Sequence, residues 1–195
     1  MSEIMGTQGI PSKDRFQKIS KIEAAKRQLV TAIRLFLSEE DAIPVHTIAS
    51  AVHEVLRDLL IKKGGKSFLK DGITVFLHPE DIEDYQIQIR EPQNFLKHAN
   101  RDPEGTLDFS PDIVRLWIFD CLRMYMELTG TMFKEGNLFS IWFVLSHPKF
   151  VLPGKYPPEF EKIAESFEPT KEFFLKLLER DDLPDLPQIV FHIPA

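Results

Sequence analysis

Apolar residues recur every three or four positions in the first third of the chain, which is the spacing that places side chains on one face of an α-helix. One such stripe covers residues 19–37 and a second covers 45–59. Pro44 suits the first turn of the second helix, because proline fixes φ and lacks an N–H group that would need a partner. Gly64 and Gly65 follow the second stripe and predict its end.

The pattern is ambiguous in residues 66–79. Asp71-Gly72 lies between two short apolar runs, which is typical of the turn of a β-hairpin. An irregular loop accounts for these residues almost equally well, so both interpretations stay open. From about Asp81 a helical stripe returns, and Pro92 predicts that this third helix is kinked or divided.

The clearest helix start is Ser110-Pro111-Asp112, which combines a capping residue, a proline for the first turn and an acidic side chain. The pattern predicts that this fourth helix runs to about Thr129 and ends at Gly130. Nearly every side of it is apolar, so we expect it to be the central and most buried helix.

Shorter apolar segments follow the fourth helix. They predict helices over 138–146, 158–167 and 171–180, then a proline-rich extended tail over 183–195. At the other end of the chain, residues 1–16 show no periodicity and predict a flexible lead-in.

These elements predict an all-α fold, an up-and-down four-helix bundle with a C-terminal helical appendage. The bundle domain is predicted to span 1–150. Residues 151–195 are too few for an independent domain, so we assign the appendage and tail to the same one. Leu116 and Trp117 are expected core positions on the central helix.

The charge composition of the chain excludes some classes of binding partner. The formal net charge is −6, so no overall positive field attracts nucleic acid or anionic lipid, and the sequence has no DNA-binding signature. RNA, a nucleotide or a protein remain as partners. No apolar run approaches the length of a membrane helix, so we expect a cytoplasmic protein that does not enter a membrane.

Cys121 is the single cysteine, which excludes an intrachain disulfide and a cysteine-based zinc site. It lies in the most apolar helix and is expected to be an unreactive core residue. His53-Glu54 begins like the helix motif of zinc proteases, but Arg57 stands where the second histidine belongs. The sequence therefore predicts neither a metal site nor a cofactor.

Two histidines on the second helix are candidate ligand-binding residues. His46 and His53 fall at the edge of the buried face, with Arg57 just beyond them. They either line a polar groove against a neighbouring helix or are boundary histidines that bond to backbone or to an acid.

A second candidate lies on the third helix. Arg90, Asn94, His98 and Arg101 share one face if the helix continues through Pro92 and past Ala99. Two permanent cations beside an imidazole suit an anion such as phosphate, whereas a solvated helix face is the simpler interpretation.

The two candidates meet in an up-and-down bundle, where the second and third helices are antiparallel neighbours. His46 and His53 would then face Asn94 and His98 across a shared groove beside Arg101.

Three segments resemble a widespread bacterial family of uncharacterised helical proteins, over roughly residues 18–150. They are His-Thr-Ile-Ala at 46–49, the run from Asn to Pro at 94–103, and Leu-Thr-Gly at 128–130. The resemblance implies a helical fold and no assigned activity.

The third helix also has a distant resemblance to HEPN domains, which are four-helix bundles that include RNA-cleaving toxins and defence effectors. Their motif is an Arg, a polar residue, three further residues and a His. Asn94 matches the polar residue and His98 the histidine, whereas Gln93 replaces the arginine. By this resemblance, Arg90 or Arg101 would have to stabilise the charged transition state.

Two functions remain, and the sequence leaves open whether the protein is an enzyme. The first is a non-catalytic binding or regulatory bundle of unknown ligand. The second is a HEPN-like protein that acts on RNA or a nucleotide, with His98, Asn94 and Arg101 as catalytic residues. Ligand-binding residues under either hypothesis are His46, His53, Arg57 and Arg90.

Overall fold

A computed structural model describes residues 16–72, 82–98, 100, 102–147 and 166–183. The predicted lead-in, most of the helix predicted over 158–167, the tail and Arg101 lie outside these residues.

The described part of the chain is helical, which confirms the predicted all-α class. It consists of α1 (Lys21–Leu37), α2 (Ala42–Ile61), a π-helical turn (Phe68–Gly72, the π turn), α3 (Ile82–Phe95), α4 (Ile113–Thr129), α5 (Lys134–Ser146) and α6 (Lys171–Leu178).

Local capping explains where the first two helices begin. Ser20 Oγ accepts a hydrogen bond from the Glu23 N–H at 3.1 Å, and Asp41 Oδ1 accepts one from the Ile43 N–H at 2.8 Å. Each bond satisfies a backbone donor that has no partner within its helix. Gly64, with φ of +83°, follows the end of α2, as its sequence position predicted.

The structure corrects three of the predicted elements. Of the ambiguous segment 66–79 it describes residues 66–72, and the hairpin interpretation does not hold there, because residues 68–72 form the π turn, whose first N–H groups bond to a side chain from α4. The fourth helix begins at Ile113 and not at Pro111, since Ser110–Asp112 form a separate turn with a 3.3 Å bond from the Ile113 N–H to the Ser110 carbonyl. α5 begins at Lys134, ahead of the predicted 138.

The core is shared by α1, α2, α4 and α5. α4 contacts α1, α2, α5 and the π turn, which confirms its predicted central position. α3 lies at the periphery, where it contacts α2 and the π turn, and Ile89 is its one fully buried hydrophobic residue in the described core. α6 packs on α1 and α5 through Phe174 and Leu178, as expected for the appendage.

Within the described residues, no helix is both long and apolar enough to cross a membrane.

Candidate functional site

A buried carboxylate organises the most polar part of the interior. Asp120, on α4, is fully buried and accepts five hydrogen bonds. Two of its side-chain donors are His53 Nε2 at 2.9 Å and Ser67 Oγ at 2.7 Å. The N–H groups of Phe68 and Leu69 also donate to it, each at 3.0 Å, so Asp120 caps the start of the π turn from another helix. These residues and Arg123 are called the Asp120 cluster below.

Arg123 supplies the fifth bond and compensates the buried charge. Its Nε donates to Asp120 Oδ1 at 3.0 Å, and its two terminal nitrogens donate to Glu127 and to the Lys66 carbonyl. The guanidinium therefore joins α4 to the segment that enters the π turn. A buried carboxylate is stable only when it is paired and hydrogen-bonded in this way.

The electrostatics of Asp120 follow from these contacts. Burial alone raises the pKa of its carboxyl group, but the hydrogen bond and charge of His53 and the charge of Arg123 outweigh burial. They leave the pKa of Asp120 well below its usual value. The carboxyl group is therefore ionised throughout the neutral range.

Ser67, His53 and Asp120 include the side-chain types of a serine hydrolase triad, but their geometry is different. Ser67 Oγ and Asp120 Oδ2 both contact the same imidazole nitrogen, Nε2, at 3.0 and 2.9 Å. A triad needs the carboxylate on one nitrogen and the serine on the other, so that the serine proton has an acceptor. All three side chains are also fully buried, which denies access to a substrate. This arrangement holds the π turn in place and does not activate a nucleophile.

Arg57 extends the network at its edge. It donates to both carboxylate oxygens of Asp71 at 2.9 and 2.6 Å, and Asp71 also accepts from the Ser67 N–H at 3.1 Å. These contacts lower the pKa of Asp71, although burial opposes them. Arg57, predicted as a ligand-binding residue, is thus engaged within the chain.

A third polar group lies above Trp117. Lys70 Nζ pairs with Glu54, contacts Gln93 Oε1 at 2.9 Å and lies 5.4 Å from the Trp117 ring. Gln93 Nε2 donates to Glu54 at 3.2 Å. Gln93, which occupies the place of the HEPN arginine, therefore links α3 to α2 and to the π turn.

Both α2 histidines are completely buried, so the prediction that they line an accessible groove with Asn94 and His98 is wrong. Their rings pack edge-on against Trp117, with centroid distances of 5.4 Å for His46 and 4.7 Å for His53. The physical reason is that α4, and not α3, packs along the inner face of α2.

His46 also has no hydrogen-bond partner on either ring nitrogen among the residues that the structure describes. Burial, and then the charge of Lys97, lower the pKa of His46 to about 4. His46 is therefore a neutral ring in a mainly aromatic setting.

This burial predicts a loss of stability in acid. The unfolded chain protonates His46 near pH 6.5, whereas the folded chain resists protonation until about pH 4. Protons then favour the unfolded state between these values, so stability falls as pH decreases, by about 3 kcal/mol in total. Urea titrations at several pH values should show this slope, and His46→Phe should reduce it. An unchanged slope in His46→Phe would assign it to other groups.

Of the residues predicted to share one face of the third helix, Arg90 and Asn94 lie on α3, whereas His98 does not. α3 ends at Phe95, so His98 lies beyond the helix. Arg90 and Asn94 are exposed on α3, and Arg101 is outside the described residues. The helix continues through Pro92 but does not meet the second condition for a shared face, because it ends at Phe95, where the bonds from Leu96 N–H to Pro92 O and from Lys97 N–H to Asn94 O close its last turn.

Arg90 and Asn94 do line an open groove along α3, of about 500 Å³. This α3 groove is formed by Glu83, Gln86, Ile87, Arg90, Glu91, Asn94, Phe95 and Asp102. It presents three carboxylates and one guanidinium, and none of these four groups forms an ion pair within the described chain. The side chain of Ile87 is 51% exposed. The groove is thus acidic, partly apolar and open to a partner.

Cys121 is completely buried, and its Sγ donates to the Ala49 carbonyl at 3.4 Å. Burial, then the charges of Asp120 and Glu54, raise the pKa of the Cys121 thiol. The predicted core position of Cys121 is confirmed, and the raised pKa disfavours the reactive thiolate. In the described residues no three histidine, cysteine or acidic side chains are placed to hold a metal ion.

Sequence reasoning missed Asp120, Arg123 and Ser67. The sequence does mark Asp120 and Arg123, because this acid and this arginine, three residues apart, interrupt the apolar middle of the fourth helix. Charged residues on a buried face are nearly always paired, so this spacing indicates an internal ion pair. No comparable signal marks Ser67.

Comparisons with protein-family models, with curated proteins and with solved structures found no match to this chain. Both resemblances stated from the sequence therefore stay predictions, and the function has to be argued from the contacts above.

Proposed function

We propose that this protein is a non-catalytic binding module and that the α3 groove is its docking surface. One contrast carries the proposal. Asp120, Ser67, Arg123 and, through Nε2, His53 form hydrogen bonds inside the protein, whereas the charged side chains of the groove have no ion-pair partner within the described chain.

The chemistry of the groove defines the partner. Glu83, Glu91 and Asp102 outnumber Arg90, so the groove attracts cationic groups and repels phosphate. Ile87 and Phe95 offer apolar surface between the charges. A basic protein segment with one or two large apolar side chains satisfies both features, and an amphipathic helix is the usual form of such a segment.

On α1 and α6, exposed acidic side chains pair with a cation of their own helix. Glu23 pairs with Arg27 on α1, and Glu172 pairs with Lys176 on α6, each at the four-residue spacing of neighbours on a helix. The unpaired acids of α3 therefore differ from these ordinary exposed pairs, and this difference supports a binding role.

The burial of three side chains that could act as a nucleophile or a general base supports a non-catalytic role. Ser67, His53 and Cys121 are sealed in the core, and the raised pKa of Cys121 disfavours the nucleophilic thiolate.

The proposal predicts binding to a fluorescently labelled amphipathic peptide of lysine and leucine, followed by anisotropy. Glu91→Lys should weaken binding about tenfold, and Ile87→Asp by a similar factor, because each removes one of the two features that the peptide recognises. Binding should also weaken as salt is added.

Asp84 provides the matched control, because it is an exposed acid on α3 that does not line the groove. Asp84→Lys should leave the affinity nearly unchanged. If it weakens binding as much as Glu91→Lys, the attraction is general and the groove is not the site. If the protein instead binds or cleaves single-stranded RNA, and His98→Ala abolishes this, the RNA-acting hypothesis replaces the proposal.

A further inference from the structure

A second cavity, of about 570 Å³, opens at one end of the bundle. The ends of α1 and α5 meet the starts of α2, α4 and α6 there. Its volume falls in the range of small-molecule sites. None of its lining residues belongs to the α3 groove, so an inference from this cavity does not depend on the proposed docking surface.

The floor of the cavity is apolar. Phe36, Val45, Val114 and Trp142 line it, and all four residues are buried in the fold. The Phe36 and Trp142 rings meet edge to face, with their centroids 5.0 Å apart. Such a floor favours a ligand with an aromatic or branched aliphatic body.

One buried donor at the wall has no acceptor. Arg115 pairs with Asp112 through Nη1, but its buried Nε has no hydrogen-bond partner among the described residues. The Arg115 side chain as a whole is 27% exposed and lines the cavity, so the outer N–H groups of its guanidinium can donate to an oxygen of a bound molecule. A carboxylate is the oxygen group that guanidinium binds best.

A negatively charged group, which complements the Arg115 guanidinium, is also available at the rim of the cavity. Glu40 lines the cavity, is exposed and forms no ion pair within the described chain. Its neighbour Glu39 lies 3.8 Å from Lys171 Nζ, and Lys171 in turn lies 4.1 Å from the Phe36 ring centroid. The cavity thus combines a free donor on Arg115 with a free carboxylate on Glu40.

We propose that this cavity binds a small zwitterion with an apolar body, namely a free α-amino acid with an aromatic or branched aliphatic side chain. Its carboxylate binds Arg115, its ammonium group binds Glu40, and its side chain packs on Phe36 and Trp142. An apolar anion without an amine would leave Glu40 unmatched, and an apolar amine would leave the Arg115 guanidinium without a carboxylate partner from the ligand.

Calorimetric titration of the full chain with three ligands that share a phenyl ring but differ in their charged groups tests this assignment. L-phenylalanine should bind, whereas phenylacetate and phenethylamine, which each lack one charge, should bind at least about tenfold more weakly. L-leucine should also bind, since the floor accepts branched side chains. Arg115→Gln should lower the affinity for L-phenylalanine at least about tenfold, and Glu40→Gln should lower it several-fold.

Arg27→Gln is the matched control, because Arg27 also pairs with one carboxylate on its own helix but lies outside the cavity. It should bind L-phenylalanine as the unmodified chain does. The thermal unfolding of each free variant checks its fold, and Glu40→Gln, at an exposed position, provides a test that does not depend on the fold of Arg115→Gln.

Three results would overturn the proposal. They are no binding of L-phenylalanine, equal binding of phenylacetate or phenethylamine, and an affinity that neither Arg115→Gln nor Glu40→Gln changes. Equal binding of phenylacetate would identify an anion site, and equal binding of phenethylamine a cation site.

Discussion

Replacing Asp120 with alanine should lower the free energy of unfolding by about 3–5 kcal/mol. The change leaves Arg123 as a buried charge without its main partner, and it removes the acceptor of His53 Nε2, Ser67 Oγ and two backbone N–H groups. Unsatisfied buried donors retain the full penalty of leaving water, which is why one carboxylate has so large an effect. Urea unfolding near neutral pH, monitored by circular dichroism, measures the loss.

Asp58→Ala is the control for Asp120→Ala, since Asp58 is exposed on α2 and should change stability by about 0.5 kcal/mol or less. Because the pKa of Asp120 is lowered in the folded chain, its contribution is present above the usual aspartate pKa of 3.8 and is lost as pH falls below it. A loss under about 1 kcal/mol at neutral pH would mean that water or a rearranged chain replaces the carboxylate.

The second large effect is expected at Trp117, which is completely buried and contacts both α2 histidines and Lys70. Trp117→Ala should lower the free energy of unfolding by about 3–5 kcal/mol, because it removes a large ring from the contact between α2 and α4.

The adjacent residue Leu116 is the comparison for Trp117, since it is only partly buried and packs at the margin of the core. Leu116→Ala should lower the free energy of unfolding by about 1–2 kcal/mol, which is less than the loss expected for a fully buried leucine. Denaturant unfolding of the two variants tests this order. Equal losses would show that α4 is covered more completely on its outer side than the structure indicates.

The helices of the core could be predicted from the sequence because their signals are local. α1, α2 and α4 each carry a continuous apolar stripe, and Gly130 ends α4 in the left-handed conformation with φ of 72°. A stripe, however, identifies the buried face of a helix and not the helix that covers it. The faces of His46 and His53 were therefore located near the core, but their neighbour was taken to be α3 when it is α4.

The π turn could not be predicted because its shape depends on a distant side chain. Residues 68–72 have weak preferences of their own, and the Asp120 carboxylate decides which backbone donors are satisfied. Arg90 and Asn94 of the α3 groove could be predicted as polar residues on one helix face from their spacing, but no pattern in the sequence marks the acids that determine the chemistry of the groove.

The bond between the Leu69 N–H and Asp120 also governs the order in which the chain acquires its structure. It joins positions 51 residues apart, and the entropy of closing such a loop must be overcome before the bond contributes. α1, α2 and α4 can begin to form from contacts a few residues apart, whereas we expect the π turn to become stable only after α4 has docked on α2. We therefore expect folding to combine rapid local steps with a late step in which residues 68–72 acquire their structure.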